Sequence, residues 1–123
     1  MRRQVSGVNT VHRETAELGA ADIVRYLFDN LGPAMTAALA RKSVQSVRRY
    51  ADGSVSMPDA TEKAMRDAHF IFRYLAQVDS PHTVRAWFMG MNPQLDDLSP
   101  LEVLIDGRHS DVLAAAKAFV TGG

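Results

Sequence analysis

Apolar residues recur at three- and four-residue steps along almost the whole of this chain, and strict two-residue alternation over five or more positions is absent. A helix buries one stripe at that spacing, whereas a half-buried strand must alternate, so the chain is expected to be all-α. Proline, glycine and small polar residues cut the pattern into short lengths. The expected product is a bundle of brief helices with abrupt turns.

Each cut has its own chemistry. Ile23, Leu27 and Leu31, with Val24 and Phe28 beside them, form the face of one helix that Gly32 ends, and Pro33 opens the next. A proline costs nothing in a first turn, where its missing N–H would have no partner. Met35, Ala38 and Leu39 are the expected inward face of this second helix. Ser43 is an N-cap for a third, with Val44, Val47 and Tyr50 inward and Gln45, Ser46, Arg48 and Arg49 outward, closed by Gly53. Ala64, Met65, Ala68, Ile71, Phe72 and Leu75 predict the longest helix, over residues 59–78, as the spine of the fold.

Asp79-Ser80-Pro81 stops that helix and caps the next, whose apolar positions are Val84, Trp87, Phe88 and Met91 before Asn92-Pro93 ends it. Ser99-Pro100 opens a short helix with Leu101, Val103, Leu104 and Ile105, closed by Gly107. Ser110 or Asp111 starts the last, with Val112, Leu113, Ala116, Phe119 and Val120. Ahead of all these, the first eight residues lack a pattern, and Thr10 is the expected cap of a short helix ending at Leu18-Gly19.

A chain of 123 residues makes one ordinary domain or two very small units sharing a core. No apolar run reaches the ~18 residues of a bilayer span. Met1-Arg2-Arg3 is basic, but Gln4, Ser6, Asn9 and His12 break the apolar stretch that a secretion signal needs, so a cytoplasmic location is expected. Without cysteine there are no disulfides, thiolate metal sites or thiol nucleophiles. His12, His69, His82 and His109 fall at none of the short spacings of helical or hairpin metal sites, so neither metal nor cofactor is expected.

Formal net charge is zero, yet the charge is segregated: residues 33–78 hold seven bases and four acids, residues 79–123 three bases and six acids. Two surfaces with different partners are the natural consequence. The first is the polar helix after Ser43. Major-groove readers need an outward polar face whose first residues lie deepest in the groove, which suits Ser43, Gln45 and Ser46 to base or phosphate contact. Arg48 and Arg49 could read guanine or clamp phosphate, and Lys42 with Arg41 in the joint would meet the DNA backbone. The alternative is the solvated face of an ordinary helix pair.

The second is Trp87-Phe88-Met89-Gly90-Met91-Asn92-Pro93, which could stack on a ligand ring, fill the core, or leave an apolar patch for another protein. The chain end poses the same choice, with Phe119 and Val120 a few residues from the carboxyl terminus. Asp96 and Asp97 are neighbours in a loop and point in different directions, unlike a positioned acid and base. No Ser-His-Asp order, phosphate loop or metalloprotease motif can be assembled, and no catalytic residue is expected.

Two ordered segments carry a family resemblance. SVQSVRRYADGSVSMP, residues 43–58, resembles the recognition helix and exit turn of Xre-type helix-turn-helix proteins. Residues 84–113, with AWFMGMNPQLDDLSPLEVLIDG at their centre, resemble the toxin-binding domain of the Xre/MbcA/ParS antitoxins. The resemblance covers about residues 20–120. It implies an N-terminal segment over 1–19, a helix-turn-helix region over 20–78 that includes Lys42, Ser43, Gln45, Ser46, Arg48 and Arg49, and a toxin-binding region over 79–123. The implied partners are a RES-domain toxin that consumes NAD and operator DNA, with a homodimer and larger assemblies with toxin. Neutralisation is expected to be steric, through Trp87, Met91, Phe119, Val120, Thr121, Gly122 and Gly123. The competing expectation is a stand-alone dimeric helix-turn-helix regulator whose acidic half serves only dimerisation.

Overall fold

The computed structural model describes residues 5–122, and among them the fold is all-α, with no strand. The first four residues and Gly123, named above as a toxin contact, lie outside the described residues. The order is α1 (Val8–Glu17), α2 (Ala20–Leu31), α3 (Pro33–Ala40), α4 (Val44–Ala51), α5 (Asp59–Leu75), α6 (Pro81–Met89), a single 3-10 turn (Pro93–Leu95), α7 (Pro100–Ile105) and α8 (His109–Val120).

Helix α5 is the spine: it packs against α1, α2, α3, α7 and α8. Met65, Ala68, Ile71, Phe72 and Leu75 are buried as expected, and so are Thr61, His69, Phe70 and Tyr74 on further faces. A helix wrapped by neighbours loses the single polar stripe that a surface helix keeps. One hydrophobic cluster runs from Val11 in α1 to Ala116 in α8, so the basic and acidic halves of the sequence share a core.

The expected stops appear as local backbone geometry. Gly32 adopts φ 87° between α2 and α3, and Pro33 follows at the first turn of α3. After α4, Gly53 is left-handed (φ 78°), and the Gly53 and Ser54 amides donate to the Tyr50 and Arg49 carbonyls at 3.3 and 3.1 Å. The same closure recurs after α7, where Gly107 (φ 82°) and Arg108 donate to Leu104 and Val103 at 2.9 and 3.1 Å. Both pairs of bonds satisfy carbonyls that the end of a helix would otherwise leave open. Ser99 and Glu102 cap α7 reciprocally: the Ser99 hydroxyl accepts from the Glu102 amide and the Glu102 carboxylate from the Ser99 amide, each at 3.1 Å.

Several expectations need correction. Thr10 lies inside α1, which Gly7 precedes without a side-chain cap bond. In α3, Ala38 is exposed, and the buried positions are Thr36, Ala37, Leu39 and Ala40. Thr36 is tolerated there because its hydroxyl donates to the Gly32 carbonyl at 2.8 Å. Helix α5 ends at Leu75, three residues before Val78, and α8 starts at His109. Met91 is not an apolar position of α6, because the helix ends at Met89 and Met91 is 81 % exposed. No helix of the described residues is long and apolar enough to cross a membrane.

Candidate functional site

Two surfaces gather the residues that the sequence singles out. The first is built on α3, α4 and the joint Arg41-Lys42-Ser43. Arg41 turns the chain in left-handed geometry (φ 55°), and Ser43 starts α4 by accepting from the Ser46 amide at 3.0 Å. Val47 and Tyr50 are buried and anchor α4, leaving Lys42, Ser43, Gln45, Arg48 and Arg49 exposed along one polar side. Ser46 departs from the expected outward position. It is half-buried, and its hydroxyl accepts from Ser43 at 3.0 Å, so part of its hydrogen bonding is spent within the cap.

The two arginines differ. Arg48 lies over the Phe28 ring with 5.8 Å to the centroid, which restrains its stem while the cation stays at the surface. Arg49 stands near Asp52, whose carboxylate is held below its ordinary pKa first by hydrogen bonds from Ser54 and less by Arg49. Arg41 is committed elsewhere: its guanidinium donates to the Ile105 carbonyl at 2.5 Å, at the end of α7. That bond spans sixty-four positions and ties the joint to the acidic half of the chain. No local pattern in the sequence marks it.

The second surface is an aromatic corner where α6 meets α8. Phe88 is fully buried and stacks on Phe72 of α5 with centroids 6.0 Å apart. Trp87, half-buried, stands edge-on to Phe88 at 5.3 Å and to Phe119 at 6.3 Å. An open cleft of about 400 Å³ follows, walled by Trp87, Asn92, Pro93, Gln94, Phe119 and Gly122. Of the expected partner-facing residues, Trp87, Phe119 and Gly122 therefore come together. Val120 is half-buried and Thr121 exposed, its hydroxyl donating to the Ala118 carbonyl at 3.2 Å, while Met91 lies outside the cleft wall.

Gln94 was not singled out by sequence, and Asn92 and Pro93 entered this surface only as the end of the 87–93 segment. Asn92-Pro93 signalled a helix stop, and the structure adds that the buried Asn92 side chain accepts from the Gln94 amide at 2.9 Å, fixing the cleft's rim. Beyond it, the loop closes on itself as the Asn92 amide donates to Leu98 and the Asn92 carbonyl accepts from Leu95 and Asp97. Asp96 and Asp97 are both left-handed (φ 54° and 64°) and exposed.

Two other clefts, about 460 and 580 Å³, flank Lys63 and Asp67 of α5. Their charges largely satisfy one another: Lys63 meets Asp67 at 2.9 Å, and Arg66 meets Glu62 at 2.8 Å while donating to the Thr15 and Leu18 carbonyls. Among the described residues no three His, Asp or Glu side chains converge to hold a metal ion.

Among the described residues, His69 is the one strongly shifted group. It is buried, its Nδ1 lies 2.9 Å from the Thr15 hydroxyl, and its Nε2 is unpartnered. Burial, with smaller contributions from the Arg73 and Arg66 charges, lowers its pKa from 6.5 to about 4. It is a neutral core histidine, edge-on to Tyr26 at 4.7 Å. No family model, curated protein or solved structure matches this chain.

Proposed function

We propose that the chain is the antitoxin of a type II toxin–antitoxin pair: a non-catalytic cytoplasmic protein that binds an NAD-consuming RES-domain toxin and represses its own operon through α4. The observation that carries the toxin half is the meeting of Trp87 and Phe119 across the cleft. It unites the aromatic helix and the chain end, the two segments that the resemblance to Xre/MbcA/ParS antitoxins assigns to the partner. Large aromatics at a concave, half-dry surface are the usual anchors of a protein contact. Inhibition is then steric, with the end of α8 and the residues after it covering the toxin's active-site entrance.

The regulatory half rests on α4 as the second member of a helix-turn-helix. Its first turn presents Ser43 and Gln45, and Arg48 and Arg49 supply cations for phosphate or guanine. About four phosphate contacts give weak binding at physiological salt, so an assembly with toxin supplies the rest by avidity.

Mobility shift on the upstream region at fixed salt tests this half. Arg48→Ala with Arg49→Ala is expected to abolish operator binding and to leave toxin binding intact. Unchanged operator affinity removes both residues from the recognition surface.

A further inference from the structure

Charge and exposed apolar area coincide at two unlike places on the surface. From Ala86 through Gly107 the sequence holds four acids, Asp96, Asp97, Glu102 and Asp106, and no base. Three of the exposed large apolar side chains fall in the same stretch: Met89 (59 % exposed), Met91 (81 %) and Leu98 (43 %). The bond from the Asn92 amide to the Leu98 carbonyl, 3.1 Å, brings Met91 and Leu98 to the two sides of one stapled loop. Asp96 and Asp97, left-handed and exposed, stand in that loop without a salt bridge among the described residues. The result is an apolar knuckle with an acidic edge.

The complementary surface is on α4 and its exit turn. Residues 32–55 hold four bases and one acid, Asp52, which stands near Arg49. Arg48 and Arg49 are exposed and close no salt bridge among the described residues. Val55, 47 % exposed, follows within the same turn, where Ser54 bonds back to the Arg49 carbonyl. One surface offers methionine and leucine beside two carboxylates, and the other offers two guanidinium groups on α4, a single carboxylate near Arg49, and valine in the turn that follows.

We propose that two copies of this chain associate through these unlike surfaces, the Met89–Met91–Leu98 knuckle and Asp96-Asp97 of one copy against Arg48, Arg49 and Val55 of the next. A chain of zero net charge has no overall repulsion to oppose such pairing. Segregated charges steer the encounter, and methionine adapts to the facing apolar surface. The contact is heterologous, so it extends to further copies unless geometry closes it into a ring. It needs neither toxin nor DNA and stands apart from the antitoxin assignment. Because it covers Arg48 and Arg49, self-association and DNA compete for the same side of α4.

Sedimentation velocity on the purified full chain tests the contact. At low ionic strength the weight-average mass is expected to rise above 13.5 kDa with concentration, and to return to it in high salt, where charge is screened within a few Å. Asp96→Lys with Asp97→Lys, and separately Arg48→Glu with Arg49→Glu, should each stay monomeric alone. Mixed in equal amounts, they should recover the association of wild type, since both unlike contacts between the two variants again pair opposite charges. All four positions are exposed, and circular dichroism checks that the helices persist. Wild type that stays monomeric at low salt, association that survives either reversal, or a mixture that remains monomeric overturns the proposal.

Discussion

Trp87 of α6 and Phe119 of α8 meet edge to face with their ring centroids 6.3 Å apart, and this contact joins two distant parts of the sequence at one cleft. Through Phe88 the contact continues to Phe72 of the spine helix, so the cleft wall is anchored in the core. A surface built this way is stiff, which limits the ordering cost when a partner settles on it.

Phe119→Ala should therefore have two separable effects. Phe119 is half-buried, so truncation costs on the order of 1–2 kcal/mol, less than a fully buried phenylalanine. Toxin binding should fall at least tenfold while the chain remains folded, read by calorimetry beside a thermal melt. This variant is cleaner than removing residues 115–123, because Ala115 and Ala116 are buried and their loss opens the core. Full affinity in Phe119→Ala and in Trp87→Ala would take the corner out of the interface.

His69 predicts an acid sensitivity with a defined window. Its folded pKa, about 4, lies below the unfolded value of 6.5, so the unfolded chain takes up the proton first as pH falls. Stability should drop between those limits by at most about 3 kcal/mol and level off below them. The upper part of the window, above the carboxylate range, isolates the histidine. Urea midpoints measured there should fall with pH in wild type and stay nearly constant in His69→Leu.

Gly32 should resist substitution. Its φ of 87° and ψ of 164° belong to a region that glycine alone adopts freely, and an added Cβ would lie 3.5 Å from the Arg85 guanidinium. Gly32→Ala is expected to cost on the order of 1–3 kcal/mol. Gly7→Ser is the control: Gly7 precedes α1 with φ −67° and open space, so serine there should be neutral or stabilising by a few tenths of a kcal/mol in thermal melts.

The chain's punctuation was legible because it is local chemistry. Ser43, Ser80 and Ser99 cap the helices that follow them, and Gly32, Gly53 and Gly107 take the positive φ that their turns require. Where the outcome depended on distant packing, local pattern fell short. Helix α3 is rich in alanine, whose small side chain marks no face clearly, and there Ala38 turned out and Thr36 turned in. Met91 followed no rule, since an apolar residue is not compelled inward. His69 and Tyr74 were invisible as core residues because the neighbours that bury them come from other helices. The candidate site divides in the same way. The exposure of Gln45, Arg48 and Arg49 followed from α4's own spacing, whereas the meeting of the 87–93 segment with Phe119, the place of Gln94 on the rim and the Arg41 bond to Ile105 needed the fold.

On the proposed function, the chain silences an NAD-consuming enzyme by covering it. The direct measurement is NAD turnover by a purified RES-domain toxin, the proposed partner, titrated with the chain itself. Turnover is expected to fall to background near one equivalent, and to recover when Trp87→Ala or Phe119→Ala replaces wild type. Undiminished NAD consumption in an excess of folded wild-type chain would contradict the account.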